Sequence, residues 1–233
     1  MHTISCGIEG VDQLLGGGLP KGRATLVAGE PGVGKTIFTL QFLLEGLRQG
    51  EKAVYLSIDE RATHILSDAV SLGWDFEPYL ASGQFKILDL TKQFYSQSDS
   101  SVSLGDIIKL VLGYTREQSI HRLVIDPVAP LRLINADQAE IGDYIRSLIY
   151  GIESDTECTT LLTSYAPVGS HQVSYHGIEE FAASGIIVLK LEKMGSKYAR
   201  TLRIKKMRGS KTDLSEWVFE IMSGRGIVLR QAV

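Results

Sequence analysis

The apolar positions of this chain fall into short continuous runs and helix-spaced stripes that alternate with one another. Residues 24–29, ATLVAG, are continuously apolar, and after a glycine-rich turn Ile37, Leu40, Leu44 and Leu47 recur at the spacing of one helix face. This predicts a strand and then a helix that stops at Gly50, a residue type favoured just past helix ends. The pair repeats as AVYLSI (53–58) with a helix to about Leu72, and then as a short strand over 85–88. A helix closing near Gln118 leads to RLVID (122–126). The stripe Ile141, Ile145, Leu148 and Ile152 leads to TTLLT (159–163). Apolar strands alternating with helices predict an α/β fold, a mostly parallel twisted sheet with helices on both faces.

From Gly185 the pattern changes. GIIVLKLEK, ARTLRIKKM, EWVFEI and GIVLR read as successive short strands with no helix between them, which predicts antiparallel strands extending one edge of the sheet. The opening residues 7–22, GIEGVDQLLGGGLPKG, read as a turn-rich lead-in. The Ser-, Gln- and Asp-rich stretch 93–103 reads as a mobile surface loop. No internal repeat or linker interrupts the chain, so residues 1–233 are expected to form one domain.

Composition changes this picture little. The chain has 233 residues, 44% hydrophobic and 22% charged, enough for one buried α/β core and short for two. A net charge of −3 counts against a protein that coats nucleic acid. Cys6 and Cys158 have neither metal-ligand spacing nor a disulfide framework, no apolar run reaches membrane-span length, and the start does not read as a signal peptide. The expectation is a soluble, cytoplasmic protein.

The chemistry begins at Gly29, Glu30, Pro31, Gly32, Val33, Gly34, Lys35 and Thr36. GEPGVGKT fits G-x-x-x-x-G-K-[ST] without exception. Glycines let the backbone wrap a polyphosphate with its N–H groups turned inward. Lys35 brings positive charge to the β- and γ-phosphates of ATP, and the Thr36 hydroxyl can ligate Mg²⁺. Residue frequencies alone give such a match in roughly one chain in a hundred of this length. Here it also lies between an apolar strand and an amphipathic helix, as a phosphate loop must.

Two acidic elements accompany it. Asp126 ends the buried run LVID, where a carboxylate can hold a metal-bound water. Asp59 and Glu60 follow AVYLSI at the strand end that faces the ligand crevice of a parallel sheet. A carboxylate there could orient or deprotonate the attacking water. Asp59 could instead cap the helix beginning near Arg61.

Taken together, the lead-in, GEPGVGKT, Asp59–Glu60, LVID, GIEEF (177–181) and KKMRGSKTD (205–213) resemble the RecA superfamily and, more closely, its KaiC-like branch. The resemblance covers essentially the whole chain. It implies a RecA-like ATPase assembled as a homo-oligomeric ring, usually a hexamer, with ATP held between subunits and a nucleotide-driven change of shape read by some protein partner. It also implies that Lys206 and Arg208 reach the neighbour's γ-phosphate, where a trans-acting cation is worth about 10³–10⁵ in rate. The family's acidic pair is commonly two glutamates with the first as base. Asp59 is one methylene shorter, which leaves slow hydrolysis or a more direct part for Glu60 open. Glu180 and Phe181 stand where the clock protein's second domain carries its phosphate-accepting Ser–Thr pair.

Two other readings remain. In a recombinase of the RecA/RadA kind, the loops beginning at Pro127 and Tyr165 would touch DNA. The first, however, contains only Arg132, and the second has no Lys or Arg. His171, His176, Tyr165 and Tyr175 could stack on bases or line an interface. A protein kinase is disfavoured because Glu180 and Phe181 carry no hydroxyl.

Overall fold

The computed structural model describes residues 2–92, 103–129, 137–167 and 172–233. The lead-in is more ordered than its turn signals suggest. Strands β1 (Thr3–Ile4) and β2 (Leu19–Pro20) pair antiparallel around a short helix α1 (Val11–Leu14). Strands β3 (Ala24–Gly29), β4 (Ala53–Ser57), β5 (Phe85–Asp89), β6 (Arg122–Asp126), β7 (Thr159–Tyr165), β8 (Gly185–Met194), β9 (Lys197–Met207), β10 (Glu216–Met222) and β11 (Gly226–Ala232) build one sheet in the order β11-β10-β9-β8-β3-β7-β6-β4-β5. The helices are α2 (Lys35–Arg48), α3 (Ala62–Ser71), α4 (Glu77–Ala81), α5 (Leu104–Glu117), α6 (Gln138–Asp155) and α7 (Glu179–Ala182).

The change of pattern at Gly185 does not coincide with the change of strand direction. β8 runs parallel to β3, and the antiparallel pairs begin only at β8–β9. The reason is connection length: a parallel neighbour needs a crossover of a dozen or more residues, which the chain between β7 and β8 supplies. The later strands are joined by connections too short for such a crossover and reverse direction. β8 and β9, at ten and eleven residues, are also longer than their sequence runs suggest.

The sheet separates two hydrophobic layers. One packs α2, the lead-in, β10 and β11 through Phe38, Phe42, Phe219 and Ile227. The other packs α5 and α6 through Ile107, Val111, Ile145 and Leu148. Each fully buried side chain of this size contributes about 1.5–3 kcal/mol. α2 is buried well beyond its predicted stripe, because lead-in and C-terminal strands cover its second side. Gln41 fastens that cover: its amide donates to Gly7 O at 3.0 Å and Arg225 O at 2.9 Å and accepts from Ile227 N at 2.9 Å. α5 opens on a reciprocal cap between Ser103 and Asp106. The remainder of the expected loop at 93–103, like Arg132 and His171, lies outside the described residues. Among the described residues no helix is long and apolar enough to cross a membrane.

Candidate functional site

The carboxyl ends of β3, β4, β6 and β7 converge on an open cleft of about 310 Å³ lined by Gly32, Lys35, Thr36, Asp59, Glu60 and Asp126, among others. The loop between β3 and α2 gets its shape from glycine: Gly32 and Gly34 hold φ of +80° and +111°, which L side chains rarely adopt. A Cβ on Gly29 would come within 2.3 Å of Leu189 O, so only glycine lets the end of β3 lie this close to β8.

Lys35 is nearly buried, at 7% exposure. Its ammonium donates to Gly29 O at 2.8 Å and Glu30 O at 3.0 Å and lies 4.8 Å from the centre of the Tyr165 ring. Burial lowers its pKa to about 8, while the charges of Asp126 and Glu30 pull the other way.

Asp126 is held by three hydroxyls from three elements. Tyr55 of β4 and Thr163 of β7 make short hydrogen bonds to its carboxylate, and Thr36 Oγ1 donates to it at 3.5 Å. Tyr55 is fully buried, and burial with the nearby Asp126 charge drives its phenol pKa well up, so it remains a donor. The Thr36–Asp126 pair gives two oxygen ligands facing one cleft, a donor set suited to Mg²⁺, which takes one or two protein ligands together with phosphates and waters. Among the described residues no cluster of three or more His, Cys, Asp or Glu could hold a metal alone.

Asp59 and Glu60 sit on the same cleft. Burial first, then the charges of Asp68 and Asp126, raise the Glu60 pKa, with His64 opposing. A carboxyl shifted this way is a better proton acceptor once ionised. α3 has Arg61 as its N-cap with no side-chain cap, and Ala62 N donates to Asp89 at 2.9 Å.

Lys206 and Arg208 are elsewhere. Lys206 pairs with Ile186, itself beside Leu26 of β3, and Arg208 N donates to Ser184 O at the level of Ala24. At about 3.3 Å per strand residue they lie roughly 10 Å and 16 Å below Gly29, toward the opposite end of the sheet. Lys206 Nζ donates to Ala183 O at 2.7 Å and Glu180 O at 2.9 Å, and Arg208 Nη2 to Phe181 O at 3.3 Å.

Three cleft groups have no motif of their own. Arg200 of β9 reaches the loop, donating to Gly32 O at 3.5 Å, and Tyr55 and Tyr165 contact Asp126 and Lys35. In sequence Arg200 is one cation among several on an alternating strand. Tyr55 is the one hydroxyl-bearing aromatic in an apolar run, a usable signal once Asp126 is suspected.

A glycine-rich phosphate loop between the central strand and a buried helix makes this an α/β protein of the P-loop, nucleotide-binding class. A family model described as "ATPase: KaiC" matches residues 4–232. The UPF0273 protein PH0284 of Pyrococcus horikoshii is 30% identical over 98% of this chain and 94% of its own length. The circadian clock protein KaiC3 of Synechocystis is 29% identical over 98% of this chain but 46% of its own length. The crystal structure of KaiC-like protein PH0186 from P. horikoshii superposes with a TM-score of 0.83 at 30% identity, covering 99% of both chains. The chain belongs to the KaiC-like ATPase family.

Proposed function

We propose that the protein binds ATP with Mg²⁺ at the cleft above β3 and hydrolyses it at boundaries between copies of itself in a ring, as a nucleotide-driven switch. One separation carries the reading. The loop that would hold the phosphates and the two cations expected at the γ-phosphate lie on one sheet but toward opposite ends, with Lys206 and Arg208 turned to α7. Such cations are of no use to their own chain's nucleotide and are suitably presented for a neighbour's.

In the cleft, loop N–H groups and Lys35 would bind the phosphates, and Thr36 and Asp126 would hold Mg²⁺. That ion, when bound, supplies charge neutralisation and orientation of the phosphates. Asp59 and Glu60 would orient a water and take its proton, with Glu60 favoured by its raised pKa. Arg208 and Lys206 of the next copy would neutralise charge on the transferring phosphoryl group.

The test mixes two variants, each nearly inactive alone. Arg208→Ala chains keep the phosphate loop, and Lys35→Ala chains keep the arginine. If the site is shared, mixed rings regain activity. Mixed rings verified by light scattering with no activity at any ratio would refute the shared site. A wild type that stays monomeric with ATP–Mg²⁺ would refute the ring.

A further inference from the structure

We infer that α7 couples adjacent nucleotide sites, with Glu179, Ser164 and Tyr165 as the positioning residues that carry the coupling. The inference rests on the ring reading above and goes beyond it, since a shared site needs no link between one chain's phosphate loop and its own outward-facing cations.

Both sets of phosphate-seeking cations are held by groups of their own chain. Lys206 has three N–H donors, and the carbonyls of Ala183, Glu180 and Phe181 accept from it at 2.7, 2.9 and 3.5 Å. Arg208 adds a bond to Phe181 O. These carbonyls belong to the end of α7, where a helix has no partners of its own. Lys35 is held by Gly29 O, Glu30 O and the Tyr165 ring. Neither lysine can meet a phosphate without leaving these contacts.

A continuous path joins the two. At the start of α7, Glu179 is 1% exposed. One carboxylate oxygen accepts from Ser164 Oγ at 3.0 Å, and the other is buried with no hydrogen-bond partner among the described residues. A buried carboxylate held so sparsely is costly where it stands, and its bond from Ser164 ties α7 to β7. Ser164 lies beside Ala28 of β3, and the next residue, Tyr165, lies beside Gly29 with its ring against Lys35.

The direction of coupling follows. When Lys206 and Arg208 transfer to a neighbour's phosphates, the end of α7 loses its donors. The helix then shifts on the Glu179–Ser164 bond, and Tyr165 loosens from Lys35. Releasing that cation–π contact frees Lys35 and tightens this chain's own hold on nucleotide. ATP bound next door thus favours ATP here. A ligand produces such a shift only through its different affinity for the two arrangements, which the exchange of carbonyls for phosphates supplies.

The test is a double-mutant cycle on ADP–Mg²⁺ affinity, read by calorimetry at a dilution where light scattering shows single chains. Lys206→Ala should tighten ADP binding about fivefold, the low end of ordinary coupling factors. The gain should persist in Tyr165→Phe, which keeps the ring, and vanish in Tyr165→Leu, which already has the gain. No change on Lys206→Ala, or an equal change in all three backgrounds, overturns the coupling. Because this arm needs no ring, its failure is distinct from failure of the ring reading. At concentrations where rings form, phosphate release by the wild type should be sigmoidal in ATP, and that by Tyr165→Leu hyperbolic. A Tyr165→Leu ring as sigmoidal as the wild type also overturns it.

Discussion

Two cations are buried at opposite ends of the parallel sheet, and they are buried differently. Arg122, at the first position of β6, is fully enclosed. It pairs with Glu51, donates to Ser5 O and Phe42 O at 2.8 Å each, and stacks 4.7 Å from the Phe42 ring. Gly46 makes the room, since a Cβ there would meet Arg122 Nε at 2.3 Å. Lys35, just beyond the other end of the sheet, is held by two carbonyls and an aromatic ring, all neutral. The arginine has its counter-charge and serves packing. The lysine has acceptors that a polyphosphate would replace with better ones. Burial therefore does not tell a structural charge from a functional one; the charge of its partners does.

The largest effect expected at either end is loss of nucleotide in Lys35→Ala. Removing the main side-chain charge on the phosphates should weaken ATP–Mg²⁺ binding by about 10³-fold in calorimetry. The fold should survive, because Asp126, whose charge acts on Lys35, keeps its hydroxyl donors Tyr55, Thr163 and Thr36. Undiminished affinity would break the comparison. Next comes Arg122→Ala, which strands Glu51 and opens a hole beside Phe42. Urea unfolding should show a loss of about 3–5 kcal/mol. Any fall in ATP affinity should be no larger than the loss of folded protein explains. An Arg122→Ala chain of unchanged stability and lost affinity would reverse the two roles.

A smaller effect is expected from the acids that line the same cleft as Lys35. Asp59→Asn with Glu60→Gln in one chain should bind ATP normally and hydrolyse it about 10²-fold more slowly. Unchanged phosphate release would make the pair structural and leave the water to some other group.

Much of this was legible in the sequence, and unevenly so. GEPGVGKT could be read because its chemistry is local: eight consecutive residues shape the loop and supply lysine and threonine. Asp126 and the Asp59–Glu60 pair could be read because parallel strands bring their carboxyl ends to one crevice. The contacts that finish the site are long-range. Asp126 with Thr163, Lys35 with Tyr165, and Gly32 with Arg200 are set by sheet order, and a run of apolar residues does not state which strand lies beside which. The same holds for Arg122. RLVID reads as a strand opening on a polar residue, and nothing local says that α2 supplies Phe42 and Gly46 to enclose its side chain. The antiparallel strands after Gly185 were legible too, but that β8 itself runs parallel to β3 was not, because pattern reports burial and not direction.

The smallest and sharpest effect concerns the proton on Lys35. Its pKa of about 8 lies below the ordinary lysine value of 10.5. Between those two values the unfolded chain holds more of this proton than the folded one, so folding stability should rise with pH across that window. Below pH 8 the lysine is charged in both states and the cost of its burial is present in full, at most about 3 kcal/mol. Lys35→Met should therefore be more stable than the wild type at pH 7, and the difference should shrink as pH climbs from 8 toward 10. Bound phosphates would restore the ammonium, so nucleotide binding near pH 8.5 should take up a proton. Calorimetry of ADP binding in buffers of different ionisation heat reads that uptake directly, and the wild type at about pH 6.5, where Lys35 is already charged, supplies the blank. Proton uptake that is absent near pH 8.5, or equal at the two pH values, would mean that the neutral cradle does not hold Lys35 short of its charge. The contrast with Arg122 would then rest on position alone.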